Sequence, residues 1–212
     1  MRNKLSVVII SKNEEEFIAD AVKSALFADE VLVLDSGSID ATCEIAQNLG
    51  AKVLYQDWLG FGAQKNKAVE LAKNDWVFVL DSDERITDEL QLEILNTLKN
   101  PTAEGYHTAR LNNFFGKNIR HCGLYPDYSI RLFNKSKSKF NEVSVHESVQ
   151  VKGTTAKLKN HMIHLAFNTV SEFTDKQKNY AELSQKNKNL FKAFISPIWT
   201  FLKIYIFRLG FV

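Results

Sequence analysis

This chain has few of the residues that stabilise very small, fibrous or disulfide-bonded proteins. Its 212 residues include only two cysteines, three prolines and nine glycines. Cys43 and Cys122 form no CxxC pair, so the sequence indicates neither a zinc site nor a disulfide framework, and a reducing cytoplasm fits best. With 45% hydrophobic residues, the chain is predicted to bury one sizeable core as a globular protein.

Long hydrophobic runs are also lacking at both ends. The apolar run that follows MRNK is too short for the core of a signal peptide. The aromatic-rich segment 191–212 is interrupted by Lys203 and Arg208 and is too short for a comfortable membrane span. We therefore expect a membrane-associating helix that lies in the interface, with a helix packed on the protein as the alternative. The sequence stops inside this apolar stretch, as expected of a truncated form.

The small net charge of +2 conceals an uneven distribution. Residues 1–134 hold 14 basic and 20 acidic side chains, whereas residues 135–212 hold 13 basic and 5 acidic ones. Such asymmetry favours an anionic partner for the last third, either a membrane surface or a phosphorylated substrate. A solvated, lysine-rich helix face is the alternative.

Apolar runs alternate with segments of helical periodicity over the first hundred residues. Four runs are predicted as strands, and each is followed by a predicted helix. The predicted strands are 5–10, 30–35, 51–56 and 76–81, and the helical segments are 14–27, 41–50, 63–74 and 88–100. This order predicts an α/β fold with a mostly parallel central sheet and helices on both faces.

Polar side chains follow three of the predicted strands, where an open parallel sheet binds its ligands. Ser11, Asn13 and Glu14 follow the first strand, and Asp35 ends the second. The sequence FVLDSDERI places three acidic side chains after the fourth strand, among them Asp81 and Asp83. If the extended backbone persists, these two point to one side, and their repulsion favours a shared Mg²⁺ or Mn²⁺. Capping of the next helix by Asp83 or Thr87 is the alternative.

These motifs together resemble a known family. VVIISKNEEEFIADAVKSAL, VLVLDSGSIDAT and GFGAQKNKAVELAKNDWVFVLDSDE are similar to the nucleotide-binding half of inverting family-2 glycosyltransferases of the GT-A fold. The resemblance implies that Asp35 binds the uracil or ribose of a UDP-sugar, with Ser11, Asn13 and Glu14 in the same pocket. It also implies that Lys65 faces the diphosphate and that Asp81 and Asp83 form a DXD metal site.

The next segment narrows the resemblance. GLYPDYSIRLFNKSKSKFNEVSVHESV is similar to the acceptor side of bacterial lipopolysaccharide-core β-1,4-glucosyltransferases. An inverting transfer needs a carboxylate that takes the proton of the attacking hydroxyl, and Glu147 is the first candidate, with Asp127 second. The resemblance nominates His164 as a further metal ligand, although a histidine with an ordinary structural role is equally compatible. Arg131 either contacts an acceptor phosphate or forms a structural ion pair.

The resemblance implies a metal-dependent hexosyltransferase that moves glucose from UDP-glucose to a lipopolysaccharide-core or other lipid-linked saccharide. We expect a catalytic domain over 1–190, comprising a donor half (1–100) and an acceptor half (101–190), before the segment 191–212. Peripheral contact with the anionic cytoplasmic face of the inner membrane is expected, and no nucleic-acid partner. Two alternatives stay open. One is a haloacid-dehalogenase-like phosphatase, although its sequence motif has Thr or Val where this chain has Arg85, and the other is a non-catalytic nucleotide-sugar binder.

Overall fold

The computed structural model describes residues 1–141, 147–167, 169, 174, 178 and 199–207. Its contacts divide the chain into two compact units, Met1–Arg110 with Tyr128–Ile163, and Leu111–Asp127 with His164–Val212. The predicted boundary between 190 and 191 lies outside the described residues and stays a prediction.

The predicted alternation of strands and helices is confirmed through residue 97. The first four strands are β1 (Leu5–Ser11), β2 (Glu30–Asp35), β3 (Lys52–Tyr55) and β4 (Trp76–Asp81). The α-helices are α1 (Ile18–Ala25), α2 (Thr42–Asn48), α3 (Phe61–Leu71) and α4 (Asp88–Thr97). The later strands are β5 (Glu84–Ile86), β6 (Gly105–Phe114), β7 (Lys117–Asn118), β8 (Asp127–Asn134), β9 (Ser138–Phe140), β10 (Val149–Val151) and β11 (Thr155–Phe167).

The central sheet is parallel in its first half and mixed beyond it. Its strand order is β3-β2-β1-β4-β8-β6-β11-β5, while β7 pairs with β6 and β10 pairs with β9 in a separate ribbon. Strands β3, β2, β1 and β4 are mutually parallel, whereas β8 runs antiparallel to β4. The register sets Ser11 beside Asp35 and Ile10 beside Asp81, so the ends of three strands meet at one edge.

Side chains of the parallel strands alternate between two hydrophobic clusters, as the period of two in a strand requires. On β4, Phe78 and Leu80 face a cluster that includes Ile18 of α1 and Leu90 of α4. Val79 faces the other cluster, which includes Ala68 and Val69 of α3. Helices therefore cover both faces of the sheet, which explains why these strands are nearly continuous apolar runs.

The C-terminal segment is described only in part. Lys203–Phe207 form a π-helix, and the rings of Phe201 and Tyr205 stack with centroids 5.1 Å apart. Among the residues that the structure describes, no helix has the length and apolar character needed to cross a membrane. The predicted interfacial helix over the remainder of 191–212 lies outside the described residues.

Candidate active site

The carboxylate of Asp35 organises the loop that follows β2. Its oxygens accept hydrogen bonds from the backbone N–H groups of Gly37 and Ser38, both at 2.8 Å, and from the Ser38 hydroxyl. The Ser11 hydroxyl donates to it from the end of β1 at 3.0 Å. Burial alone would raise the pKa of Asp35, but these bonds outweigh it and hold the pKa below its usual value. Asp35 is almost fully buried here, and its predicted contact with a nucleotide stays a prediction.

The loop after β1 is hydrogen-bonded to the loop that follows β2. Asn13 has a left-handed backbone (φ 55), donates its N–H to the Ser38 hydroxyl and accepts from Ile39 N through its side chain. Glu14 donates its N–H to the Thr42 hydroxyl at 2.7 Å. The predicted convergence of the strand ends is therefore present in the first unit.

The backbone does not stay extended between Asp81 and Asp83. Strand β4 ends at Asp81, a turn covers Ser82 and Asp83, and the short strand β5 begins at Glu84. The condition under which the two aspartates would point to one side is therefore not met, because a turn begins immediately after β4. The alternative is confirmed for Thr87, whose hydroxyl accepts from Leu90 N at the start of α4.

Both oxygens of Asp81 contact cationic side chains. Lys65 Nζ lies 2.9 Å from Oδ1, and Arg131 Nη1 and Nη2 each lie 3.1 Å from Oδ2. Burial would raise the pKa of Asp81, but the charges of Arg131 and Lys65 outweigh it and hold the pKa well below its usual range. The repulsion that the sequence predicts at this strand end is thus relieved in part by two cations of the protein itself.

Glu84 is the residue of this site that the sequence reasoning missed. It is fully buried, accepts from Asp81 N at 3.0 Å and pairs with Arg131 Nη2 at 2.5 Å. Burial raises the pKa of Glu84 to about 7, the charge of Arg131 opposes the rise, and the charge of Asp81 adds to it. Of the two roles predicted for Arg131, the structure contains the ion pair, and this arginine is itself buried.

Lys65 joins this buried cluster to the candidate base. Its ammonium lies 2.9 Å from Asp81 Oδ1 and 3.0 Å from Glu147 Oε1, and its side chain is only 7% exposed. Helix α3 carries Lys65, and Gly62 lets its first turn approach the segment that contains Glu147. A Cβ atom added at Gly62 would lie 2.4 Å from Asn141 O and 3.7 Å from Glu147 Cβ. The first unit thus brings Asp81, Lys65 and Glu147 together.

Negative charge is concentrated between Glu14 and Asp83. Burial raises the pKa of Glu14, a hydrogen bond with Ser82 opposes that rise, and the negative charges of Asp83, Asp40 and Asp81 add to it. Within the described ranges, however, no three histidine, cysteine, aspartate or glutamate side chains form a cluster that could hold a metal ion. The predicted ligand set of Asp81, Asp83 and His164 stays a prediction.

The second unit holds two other predicted residues. Asp127 begins β8, and its role as the alternative base stays a prediction. His164 lies on β11 with its Nδ1 2.7 Å from Asn112 Oδ1, a hydrogen bond of the kind expected for a structural histidine. His146, the residue before Glu147, lies outside the described residues.

Similar solved structures share this fold. A crystal structure of S. aureus TarS 1-349 superposes with a TM-score of 0.57 at 18% identity, covering 76% of this chain and 60% of that one. Glucosyl-3-phosphoglycerate synthase from Mycobacterium tuberculosis, in complex with Mn²⁺, UDP and glucosyl-3-phosphoglycerate, gives 0.53 at 17% identity, covering 81% of this chain and 75% of that one. These similarities confirm the GT-A-like fold.

Sequence relatives extend over nearly the whole chain. An uncharacterised glycosyltransferase of Rickettsia typhi is 31% identical over 99% of this chain and 78% of its own length. The lipopolysaccharide core biosynthesis glycosyltransferase LpsC of Rhizobium meliloti is 27% identical over 97% of this chain and 82% of its own length. Residues 6–150 match the model of the family described as glycosyl transferase family 2. The chain therefore belongs to glycosyl transferase family 2.

Proposed function

We propose that this glycosyltransferase moves glucose from UDP-glucose, with inversion, to a saccharide of the lipopolysaccharide core or another lipid-linked saccharide. The observation that carries the proposal is the position of Lys65, whose ammonium contacts both Asp81 and Glu147. A departing UDP needs positive charge at its diphosphate, and an attacking hydroxyl needs a base on the opposite side of the sugar. Lys65 and Glu147 meet these two needs within one buried contact.

In this proposal Glu147 takes the proton of the acceptor hydroxyl. Its carboxylate is partly exposed, which leaves an approach for the acceptor, while Lys65 fixes its orientation. When UDP-glucose binds, the diphosphate competes with Glu147 for the lysine ammonium. Transfer of that contact from Glu147 to the diphosphate would leave the carboxylate as the acceptor of the hydroxyl proton.

The protein offers few ligands for a divalent cation at this site. Lys65 and Arg131 already contact both oxygens of Asp81, whereas Asp83 lies in the turn after β4, where its charge raises the pKa of Glu14. Mg²⁺ and Mn²⁺ accept one or two carboxylates when substrate phosphates complete their coordination. We therefore assign the metal contact to Asp83, with the diphosphate of the donor as the other ligand. Bound there, the cation would neutralise charge on the leaving group.

Support for the acceptor class comes from the relative named for lipopolysaccharide core biosynthesis. We propose peripheral association with the cytoplasmic face of the inner membrane, because a lipid-linked acceptor is presented there and residues 135–212 carry a strong excess of basic side chains. The phosphatase alternative lacks support, since its nucleophile would be Asp81, which is held by two cations and follows the fourth strand rather than the first.

The test compares Glu147→Gln with the unaltered protein. The substitution keeps the side chain's shape but removes the base, so turnover should fall by about 10²–10⁴-fold. UDP release is measured with UDP-glucose, Mn²⁺ and a truncated-core lipooligosaccharide as acceptor, and UDP-glucose binding is measured by thermal shift. Retained turnover would refute Glu147 as the base. Donor binding by the unaltered protein without transfer would favour the non-catalytic alternative.

A further inference from the structure

The loop that precedes α3 exposes large apolar side chains at the edge of the sheet where the strand ends meet. Tyr55, Trp58, Leu59 and Phe61 are all exposed, within seven residues of sequence. Single exposed apolar residues are common, but a contiguous group indicates contact with a ligand or partner. Trp58 and Phe61 pack edge to face, with ring centroids 4.8 Å apart and an interplanar angle of 87°.

The backbone of this loop is held by hydrogen bonds. The side chain of Gln64 is completely buried, accepts from Leu59 N at 3.3 Å and donates to the Ser36 hydroxyl at 3.0 Å and to Gln56 O at 3.4 Å. A second backbone hydrogen bond joins Gln56 N to Asp35 O at 2.9 Å. The backbone of the loop is thus fixed to the end of β2, which lowers the entropic cost of ordering it when a ligand binds.

Phe61 begins the helix that carries Lys65, and Trp58 lies three residues before it. Phe61 and Lys65 are four residues apart on α3 and so share one face of the helix. Lys65 contacts Glu147, and Gly62, next to Phe61, lies against the Glu147 segment. An acceptor hydroxyl must come within about 3 Å of the base that deprotonates it. The sugar ring that carries this hydroxyl therefore reaches the region of Trp58 and Phe61.

We propose that Trp58 and Phe61 form a stacking platform for the acceptor saccharide, an inference that rests on the proposed function. A pyranose ring has one face rich in C–H groups, and the negative face of an aromatic ring attracts C–H groups while its area removes them from water. The platform binds the acceptor sugar next to Glu147, whereas the donor diphosphate contacts Lys65. We therefore expect the aromatic pair to contribute to acceptor binding rather than to donor binding.

The first measurement detects binding without catalysis. The chain has three tryptophans, of which Trp76 is buried and Trp199 is exposed, so a Trp199→Phe variant leaves Trp58 as its exposed tryptophan. In that variant, cellobiose should change the fluorescence in a saturable way, and sorbitol, which has hydroxyls but no pyranose face, should not. Phe61→Ala added to it should weaken cellobiose binding roughly tenfold. No saturable change with cellobiose, or a change with phosphatidylglycerol vesicles alone, would overturn the proposal.

The second measurement separates stacking from general apolar contact. Trp58→Phe keeps an aromatic face, whereas Trp58→Leu keeps apolar area without one; Leu92→Ala removes an exposed leucine of α4 as a matched control. With truncated-core lipooligosaccharide, Trp58→Leu should raise the acceptor KM roughly tenfold, Trp58→Phe much less, and neither should change the KM for UDP-glucose. An unchanged acceptor KM in Trp58→Leu would overturn the proposal.

The two measurements also separate this proposal from the proposed function. Saturable cellobiose binding at Trp58 without any glucose transfer would support the platform and contradict the proposed reaction. Normal transfer by Trp58→Leu and Phe61→Ala would support the reaction and contradict the platform.

Discussion

Replacing Arg131 with methionine should destabilise the protein strongly. Methionine is close to arginine in length but carries no charge, so the change leaves the buried carboxylate of Glu84 with only the more distant Arg110, at 3.8 Å, and Asp81 with Lys65 alone. Removing one partner of a buried ion pair costs about 3–5 kcal/mol, because the other charge stays buried and uncompensated. In a chain of this size, that loss lowers the melting temperature by roughly 6–20 °C.

The stability lost in Arg131→Met should depend on pH, and the direction of this dependence follows from the pKa of Glu84. Its pKa in the folded protein is about 7, raised from 4.5, so ionisation of Glu84 weakens the fold as the pH rises between these values. Below about pH 7 Glu84 is mostly protonated in the folded protein and needs no counter-charge. Arg131→Met should therefore destabilise less at about pH 5.5 than at about pH 8, as measured by circular dichroism during thermal and urea unfolding.

Two further variants complete this experiment. Glu84→Gln combined with Arg131→Met removes the uncompensated carboxylate, so the double variant should recover part of the stability that Arg131→Met loses at about pH 8. Arg131→Lys keeps the charge but loses the planar guanidinium, so it should lose less stability than Arg131→Met. If Arg131→Met melts within a few degrees of the unaltered protein at both pH values, the ion cluster is not stabilising and this electrostatic reasoning is wrong.

Three other substitutions give simpler outcomes. Asp83→Asn should abolish the extra thermal stabilisation that Mn²⁺ gives in the presence of UDP-glucose, while the melting temperature without ligand changes little. Gly62→Ala places a Cβ atom 2.4 Å from Asn141 O, so helix α3 and the chain at Asn141 and Glu147 must move apart. In parallel activity and unfolding assays, the rate of transfer should therefore fall more strongly than the free energy of unfolding. Thr87→Ala removes the N-cap of α4 and should lower the free energy of unfolding by about 1 kcal/mol in urea titration.

The parallel half of the fold could be predicted because its signals are local. Strands buried on both faces are continuous apolar runs, and helices of regular period follow each of them. The antiparallel half offered no comparable signal. Strand β11 alternates polar and apolar residues only over 155–159, and its place between β6 and β5 depends on pairing with residues about fifty and seventy positions earlier, which one sequence does not reveal.

The sequence predicted where the residues of the candidate site lie more accurately than it predicted their contacts. The sequence placed Ser11, Asp35 and Asp81 at strand ends, and the register brings these ends together. It did not predict that the carboxylate of Asp35 would accept hydrogen bonds from the loop that follows it. The sequence SGS after an aspartate is nevertheless typical of a turn in which the carboxylate accepts hydrogen bonds from backbone N–H groups. Nor did it predict Glu84, because the turn after β4 decides which of the three acidic side chains is buried.

The charges of this site constrain how a donor can bind. The three carboxylates of Asp81, Glu84 and Glu147 face three cations, Lys65, Arg131 and Arg110, so the cluster has little positive charge left for a diphosphate. Two unit charges 4 Å apart at a protein surface interact by about 4 kcal/mol, so a diphosphate placed against unshielded carboxylates is repelled by several kcal/mol. Donor binding therefore requires that Lys65 exchange Glu147 for phosphate, that a cation accompany the donor, or both. Without a divalent cation the exchange alone must offset the repulsion, and we expect UDP-glucose affinity to fall steeply when the cation is chelated.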